Sequence, residues 1–402
     1  MMRISEAPAI EVIGDDRCTG CFSCFNACPF DAIEMKLNQE GFYRPVINDN
    51  CTRCGVCQKF CPVLTPIKVR DRLETPVVYA AWSRDKETRI ASSSGGIFPE
   101  LARHILENDG VVFGVAMDTR SLLPKHVKIN ETTRLKELQG SKYLQSNVGM
   151  AYREAINEAR AGRFVLFSGT PCQIAGMKLF SQRLRNDANI LTAGVVCHGV
   201  PSAKVFLSYI ARLEEKYKKR IVSISFRDKS KGWSKFMISL TFEDGSTIKK
   251  YHWEDIFFYG YLKNLYLQKS CYSCDFNKFP RPEDITLGDF WGAPLKLRSE
   301  EGVSLVVANT LRGKRILEKL HRDNRIELVE VSLEDGARFN KRLIGEYTTI
   351  PPERDLIMSE EYFNHFDMLS EKFINMPPMP ILKIKNILRW VSPIISSIIK
   401  RI

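Results

Sequence analysis

The chain has 402 residues, 44% of them hydrophobic and 26% charged, which is typical of a globular protein of two or three domains. Its formal net charge of +12 is spread widely and lacks a clustered arginine and aromatic face, which argues against a nucleic-acid partner. The start, MMRISEAPAIEVIGDD, contains acidic residues and no long apolar run, so no signal peptide is predicted and a cytoplasmic location is expected.

Two cysteine runs near the start share the pattern C-x2-C-x2-C-x3-C-P. Bacterial two-cluster ferredoxins have this spacing, and the fourth cysteine of each run ligates the other cluster. The pattern therefore predicts two 4Fe–4S clusters, one on Cys18, Cys21, Cys24 and Cys61 and the second on Cys51, Cys54, Cys57 and Cys28. Zinc is the main alternative, but zinc sites usually pair two C-x2-4-C knuckles and do not use C-P twice. A disulfide framework does not suit a chain without secretory features.

The next stretch divides a small domain from a larger one. Residues 1–66 are predicted to form the two-cluster ferredoxin domain, with short strands between the cysteine runs. Residues 67–76 are predicted to be a linker, because charged residues and Pro76 interrupt regular structure. A buried strand is then predicted at residues 77–82, at the start of an α/β unit.

A small-residue loop of Ser92, Ser93, Ser94, Gly95 and Gly96 leads directly into a predicted helix over residues 97–106. Backbone N–H groups and hydroxyls at the positive end of a helix are suited to binding phosphate. An ordinary serine cap with glycines for the turn explains the segment equally well. The loop is therefore a candidate cofactor-binding segment with this alternative left open.

A strand predicted at residues 111–117 is followed by Ser141, Lys142 and Tyr143 beside a flexible glycine. The cation and the ring could both face a cofactor. Lys142 alone would more often be a solvated surface charge, and Tyr143 alone a packed core ring. A helix is predicted over residues 148–161.

Two further strands each end in a cysteine-bearing segment. The strand at residues 164–167 leads into Gly169, Thr170, Pro171, Cys172 and Gln173, and the one at residues 190–197 leads into Cys197 and His198. Open α/β sheets bind ligands where parallel strands end and helices begin. A helix over residues 203–218 follows the second strand.

Residues 221–251 alternate as an inserted antiparallel set, and residues 252–268 have helical spacing of bulky aromatics. Further strands are predicted at residues 284–292 and 304–309. Cys271 and Cys274 have the spacing of a metal knuckle and complete a second quartet with Cys172 and Cys197. Alternatively, Cys172 and Cys197 are buried small hydrophobes and the C-x2-C is a separate redox pair. Spacing alone leaves both interpretations open.

Seven segments in order resemble the beta subunits of coenzyme F420 hydrogenase/dehydrogenase: SSSGG (92–96), GSKY (140–143), FSGTPCQ (167–173), CHGVPS (197–202), FRDK with GW (226–233), CYSC (271–274) and GDFWG (288–292). The resemblance implies an α+β protein in which the ferredoxin domain precedes a mixed α/β flavin-binding domain at residues 77–345. It also implies FAD in the pocket of SSSGG, GSKY and GTPCQ. It favours a third 4Fe–4S cluster on Cys172, Cys197, Cys271 and Cys274.

These features together predict an iron–sulfur flavoprotein reductase that passes electrons from a ferredoxin-type donor to an organic two-electron acceptor. Clusters carry single electrons, whereas a flavin can release two together. His198 and Lys142 are the candidate catalytic residues, as proton donors or as groups that stabilise the reduced flavin. The fused two-cluster domain and the basic tail depart from the bare hydrogenase subunit, so the resemblance leaves open whether coenzyme F420 itself is the acceptor. Similar fused proteins resemble those of bacterial surface-polysaccharide functions, which implies a sugar or lipid-linked intermediate as the alternative acceptor. The alternative is a non-catalytic electron-relay subunit that docks on a partner enzyme, such as a dehydrogenase subunit.

Residues 346–402 are predicted to be a C-terminal extension ending in a basic amphipathic helix. Its apolar residues follow steps of three and four, its basic residues lie mainly off that stripe, and Pro393 should kink it. The longest uncharged run is too short to span a bilayer, for which about 20 residues are needed. The tail is therefore expected either to lie at the inner face of the membrane or to pack on protein.

Overall fold

The computed structural model describes residues 6–346 and 349–378. The N-terminal part is a small unit of short helices and one hairpin, in which β1 and β2 pair antiparallel. Its elements are α1 (Ala9–Arg17), α2 (Ser23–Ala27), β1 (Ile33–Leu37), β2 (Tyr43–Ile47) and α3 (Val56–Lys59). Five of the eight N-terminal cysteines are buried, and four of them form a core cluster with Ile13 and Ile33. The hairpin thus packs beside the cysteines, as predicted.

The rest of the described chain builds one large mixed sheet, one small sheet and the helices around them. The strands are β3 (Arg72–Ser83), β4 (Val111–Met117), β5 (Pro124–Ile129), β6 (Val165–Gly169), β7 (Ile190–Val195), β8 (Ile221–Asp228), β9 (Met237–Phe242), β10 (Thr247–Tyr251), β11 (Ile285–Asp289), β12 (Ser304–Thr310) and β13 (Ile326–Val331). The helices are α4 (Lys86–Ala91), α5 (Ile97–Leu106), α6 (Leu135–Leu138), α7 (Ala151–Arg160), α8 (Pro171–Arg183), α9 (Ala203–Tyr217), α10 (Ile256–Leu262), α11 (Lys269–Tyr272), α12 (Leu311–Arg322), α13 (Leu333–Ala337), α14 (Arg354–Ile357), α15 (Glu360–Phe363) and α16 (Phe366–Phe373).

The large sheet has the strand order β13-β3-β12-β11-β7-β6-β4-β5. Its four central strands, β4, β6, β7 and β11, are parallel, and the remaining pairs are antiparallel. Alternate residues of β6 face opposite layers: Leu166 packs with α5 and α12, and Phe167 packs with α7 and α8. Because the central strands are parallel, their carboxyl ends meet at one edge, where ligands bind in open α/β sheets.

The small sheet, β10-β9-β8, packs with α9 and α10 in a separate hydrophobic cluster. The short helices α14 to α16 also belong to this cluster, through Ile357, Phe363 and Phe366. Part of the predicted C-terminal extension is therefore core structure. The predicted basic amphipathic helix itself lies outside the described residues. Within the described residues, no helix is long and apolar enough to cross a membrane.

One predicted boundary was wrong. The linker was expected to reach residue 76, yet β3 begins at Arg72 and runs through Pro76. Proline is tolerated in strands at irregularities of the ladder, and the β3–β12 register shifts between Ala308 and Thr310, close to that point. The aromatic region at residues 252–268 contains α10, and its rings pack in the core with the small sheet.

The ferredoxin unit packs directly on the large sheet's helices. Arg153 of α7 donates hydrogen bonds to the carbonyls of Asn26 (2.6 Å) and Cys28 (2.7 Å). Arg354, whose side chain is fully buried, pairs bidentately with Glu40. Charge-assisted bonds of this kind are among the stronger contacts in proteins. They hold the cysteine runs against the α/β unit.

Candidate functional site

The structure groups the eight N-terminal cysteines in two sets that match the crossed ligand assignment. Cys28, Cys51, Cys54 and Cys57 all line one small cavity, which we call the distal cluster site. Cys18, Cys21, Cys24 and Cys61, the proximal cluster site, lie close enough for the charges of their sulfurs to affect one another. Cys54 is exposed, so the distal cluster site reaches the protein surface.

The surroundings of these cysteines are those expected of thiolates bound to metal. Burial raises the pKa of Cys21 to about 12 and that of Cys61 to about 11, so these groups need a compensating cation to ionise. Backbone N–H groups donate hydrogen bonds to two sulfurs of the distal cluster site. Ala9 N lies 3.2 Å from Cys57 Sγ, and Ala32 N lies 3.4 Å from Cys28 Sγ. Hydrogen bonds to ligand sulfurs are a regular feature of iron–sulfur sites.

The remaining four cysteines also converge, and we call them the third cluster site. Cys172 is the second residue of α8, which follows β6. Cys197 follows β7, and Cys271 and Cys274 come from α11 and the turn after it. The sulfur of Cys172 interacts electrostatically with those of Cys274, Cys197 and Cys271. Burial raises the pKa of all four thiols. Four neighbouring, partly buried thiolates would repel one another unless a cationic group bound them, so this donor set fits a metal cluster.

In the described part of the chain, no group of three or more His, Cys, Asp or Glu residues is arranged to hold a single metal ion. The ligands of a 4Fe–4S cluster need a different arrangement, because each of the four thiolates binds a different iron atom and they do not converge on one ion.

Two hydrogen-bonded bridges join the proximal cluster site to the third cluster site. The Tyr152 hydroxyl lies 2.7 Å from the carbonyl oxygens of both Cys21 and Gln173, and Gln173 follows Cys172. On the other side, the Gln268 side chain donates to the carbonyl of Cys18 (3.4 Å), and Cys271 N donates to the Gln268 carbonyl (2.9 Å). The two sites are therefore connected through single residues.

A cavity of about 300 Å³ opens at the carboxyl ends of the parallel strands, within the usual size range of ligand pockets. Cys197 lines it too, so the cavity adjoins the third cluster site. Ten of the twelve predicted cofactor-binding residues line it, namely Ser92, Ser93, Ser94, Gly96, Ser141, Lys142, Tyr143, Gly169, Thr170 and Gln173. Both predicted catalytic residues, His198 and Lys142, also line it.

Gly95 and Pro171 are not among the lining residues. A Cβ at Gly95 would lie 2.4 Å from the Ala81 carbonyl oxygen, so this glycine allows close packing of the loop on β3. Pro171 is the buried first residue of α8 and has the fixed φ that suits this position. Gln173 does line the cavity, but its amide is used to cap α8 through Thr170 and to bond Ser146.

The two predicted loops are tied together at the cavity wall. Ser141 donates through its backbone N–H to Ser93 Oγ (2.7 Å), and the two hydroxyls are 2.9 Å apart. Lys142 Nζ donates to the Gln139 carbonyl (2.8 Å), and burial lowers the pKa of Lys142 to about 7. Near neutrality Lys142 is thus partly uncharged and can give or take a proton.

His198 is mainly neutral at pH 7, because burial lowers its pKa to about 4. Its ring packs edge-on against Tyr261 with ring centroids 5.0 Å apart. Its Nε2 atom is buried and has no hydrogen-bond partner within the described residues. His198 thus places a neutral ring in the cavity wall, beside Asn264 and Tyr261.

The sequence did not identify Arg227 and Asp289 as site residues. The Arg227 guanidinium pairs bidentately with Asp289 at 2.9 Å and donates to the Ser93 carbonyl. It also lies 4.0 Å from the centre of the Phe236 ring. Both residues occur in segments that resemble the family, FRDK and GDFWG, but nothing local predicts that an arginine 62 residues before an aspartate will meet it. Asp289 lines the cavity, and Arg227 holds it and the serine loop in place.

His126 was also missed. Its Nε2 lies 3.0 Å from the Ser168 carbonyl and its Nδ1 3.2 Å from Ser146 Oγ, both belonging to cavity-lining residues. Burial lowers the pKa of His126 to about 4, so the ring is neutral. A single histidine in a polar strand gives no signal of this role in the sequence.

Comparison with known proteins supports the assignment of both parts of the chain. Residues 9–69 match the 4Fe–4S dicluster domain family. The chain is 43% identical over 44 residues to the ferredoxin-type protein NapF of Haemophilus influenzae, covering 11% of this chain and 25% of that protein. It is 40% identical over 42 residues to an uncharacterized ferredoxin of Methanocaldococcus jannaschii, covering 10% and 63%.

The larger unit is 24% identical over 196 residues to one of the subunits of the F(420)H(2) dehydrogenase of Methanosarcina mazei, covering 46% of this chain and 55% of that protein. The chain thus spans less than two thirds of each of these relatives. A solved structure of the F420-reducing NiFe hydrogenase complex from Methanosarcina barkeri contains a chain with 20% identity and a TM-score of 0.46, covering 69% of this chain and 91% of that one.

Two family profiles match most of the α/β unit. Residues 78–152 match the N-terminal region of the coenzyme F420 hydrogenase/dehydrogenase beta subunit, and residues 162–334 match its C-terminal region. The predicted resemblance is confirmed: the chain belongs to the family of coenzyme F420 hydrogenase/dehydrogenase beta subunits and carries a 4Fe–4S dicluster domain at its N-terminal end.

Proposed function

We propose that the chain is an iron–sulfur flavoprotein oxidoreductase. In this proposal electrons enter from a ferredoxin-type donor, pass through three 4Fe–4S clusters and reach FAD, from which an organic acceptor is reduced. One observation carries the proposal: the distal, proximal and third cluster sites and the cavity adjoin one another in that order. The series begins at the exposed Cys54 and ends at Cys197 in the wall of the 300 Å³ cavity.

Contacts between neighbouring cluster sites support the proposed order of electron transfer, from the distal to the proximal and then to the third cluster site. The distal and proximal cluster sites interact through Cys24 and Cys57, as the crossed ligation requires. Tyr152 and Gln268 then bridge the proximal and third cluster sites. Short separations between centres favour transfer, and fixed hydrogen bonds keep those separations constant.

The residues around the cavity support flavin binding. The Ser92–Ser94 loop and the start of α5 offer hydroxyls and backbone N–H groups of the kind that bind phosphate. A flavin supplies the conversion between single electrons and electron pairs, which clusters alone cannot perform. Lys142, with a pKa lowered to about 7 by burial, is suited to exchanging a proton with the cavity, and His198 Nε2 offers a buried polar atom there.

The exposed edge of the distal cluster site suits docking of a redox protein, and the M. mazei relative is named as part of a dehydrogenase. We therefore propose a ferredoxin or a dehydrogenase subunit as partner and a small organic molecule as the two-electron acceptor.

Anaerobic reconstitution of the full chain tests the proposal. We expect about twelve iron and twelve sulfide per chain, together with one tightly bound flavin. Iron and sulfide without flavin would refute the flavoprotein proposal and favour the relay role.

A pair of variants tests the third cluster separately. Cys172→Ser and Cys271→Ser should each lower the iron content by about four atoms per chain, since four thiolates hold one cluster. The double variant should lose no more than either single variant. Additive losses, or no loss, would contradict a shared cluster.

A further inference from the structure

Arg342 lies beside the third cluster site, outside every segment that the sequence pattern marked. It belongs to a short 3-10 helix, Lys341–Leu343. Its Nη1 donates to the carbonyl of Cys271 at 3.3 Å. Its Nη2 is buried and, within the described residues, has no hydrogen-bond partner. A buried donor without a partner is unfavourable, and more so when it is charged, unless a bound group accepts its hydrogen bond.

The positive charge of Arg342 acts on the same sulfurs. The guanidinium lies close enough to the sulfurs of Cys197, Cys271 and Cys274 for its charge to act on each of them. This is the electrostatic effect expected of a cation next to an anionic cluster.

Another arginine near these cysteines is already neutralised. Arg281 pairs with Glu283 at 2.6 Å, and both side chains are fully buried. Arg342 is only partly buried, but in the described residues no carboxylate forms an ion pair with it. Its guanidinium and its buried Nη2 atom are therefore available to an anionic group close to them.

We propose that Arg342 is the charge partner of the third cluster and that it raises the reduction potential of that cluster. The inference rests on the proposed function, because it requires a cluster at the third site. Four thiolates give a 4Fe–4S cluster a net negative charge, and Nη2 is the donor available to it.

The redox step itself involves one electron. The proximal cluster is oxidised by one electron and the third cluster is reduced by one, with no bond made or broken. Reduction adds one negative charge at the third site, so the Arg342 cation stabilises the reduced form more than the oxidised form. Arg342 thereby favours transfer from the ferredoxin unit toward the cavity.

A redox titration followed by electron paramagnetic resonance on the reconstituted full chain tests this role. In Arg342→Gln the midpoint potential of the third cluster should become more negative, while those of the two ferredoxin-type clusters stay unchanged. Arg342→Lys keeps the charge and should remain close to the wild type. Arg338→Gln is the matched control, because it removes an equal charge four residues away from an exposed arginine paired with Asp335, and it should shift none of the clusters.

Each result bears on the inference. Loss of the third cluster in Arg342→Gln with retention in Arg342→Lys would support it, since charge then decides binding. An unshifted third cluster, an equal shift of all three clusters, or loss in both Arg342 variants would overturn the inference alone. Absence of a third cluster from the wild type would overturn both the inference and the third-cluster part of the proposed function.

Discussion

Removal of the Tyr152 hydroxyl is expected to weaken the connection between the proximal and third cluster sites. The hydroxyl is 2.7 Å from the carbonyl oxygens of Cys21 and Gln173, and the whole side chain is buried. Tyr152→Phe keeps the ring contacts with Phe167 and Phe180 but leaves these carbonyls without that donor. The hydroxyl has a single proton and the Gln173 carbonyl lies within α8, so about one buried hydrogen bond is lost. Such a loss costs about 0.5–1.5 kcal/mol, and the melting temperature should fall by a few degrees.

Two assays separate the effect on coupling between the proximal and third clusters from this loss of stability. Thermal unfolding of the reconstituted chain gives the stability change, and electron paramagnetic resonance of the fully reduced chain gives the magnetic coupling between clusters. We expect Tyr152→Phe to weaken the coupling and to slow reduction of the third cluster several-fold at a temperature where the variant is folded. Tyr217→Phe, which removes the same atom from a ring packed on Phe242, is the matched control. Unchanged coupling and rate in Tyr152→Phe would refute the bridge.

Four further predictions concern separate parts of the chain. Cys54→Ser should lose one ferredoxin-type cluster while circular dichroism of the α/β unit persists; global unfolding would contradict separate local stabilisation of the cluster loops. Lys142→Gln should weaken flavin retention, measured as flavin released on ultrafiltration, and equal retention would remove Lys142 from the binding site. Because burial lowers the pKa of His126 from 6.5 to about 4, the unfolded state binds the proton first as the pH falls. The free energy of unfolding should therefore drop by up to about 3 kcal/mol between pH 7 and pH 4, and His126→Gln should reduce this slope; an unchanged slope would contradict a neutral buried ring. Asp284→Asn should cost about 3–5 kcal/mol in denaturant unfolding, because Lys178 and Arg312 lose their buried partner, and a near-neutral effect would show that the network is dispensable.

Local patterns predicted those parts of the structure that local forces determine. The helix at Ile97–Leu106 and the strand at Val111–Met117 have the bounds expected from the sequence, because apolar periodicity and small-residue caps act over a few residues. Cysteine spacing likewise anticipated the two groups in which the eight N-terminal thiols lie, whereas it left open whether Cys172, Cys197, Cys271 and Cys274 meet.

The contacts that connect the sites could not be predicted in this way. Tyr152 meets Cys21 across 131 residues, and Arg342 meets Cys271 across 71. Such pairs depend on how the sheet and the ferredoxin unit pack, and a lone tyrosine or arginine has the same local signature as a core ring or a surface charge. The strand through Pro76 was missed for a similar reason, because its partner strand β12 lies far away in the sequence.

In the proposed function, electrons cross the chain from the exposed distal cluster site to the cavity. This route can be followed by anaerobic stopped-flow mixing of the reconstituted full chain with a reduced bacterial ferredoxin, recording cluster and flavin absorbance together. We expect cluster absorbance to bleach before flavin absorbance, and we expect Cys172→Ser to slow the flavin phase while leaving the cluster phase fast. Flavin reduction at the wild-type rate in Cys172→Ser would contradict transfer through the third cluster site.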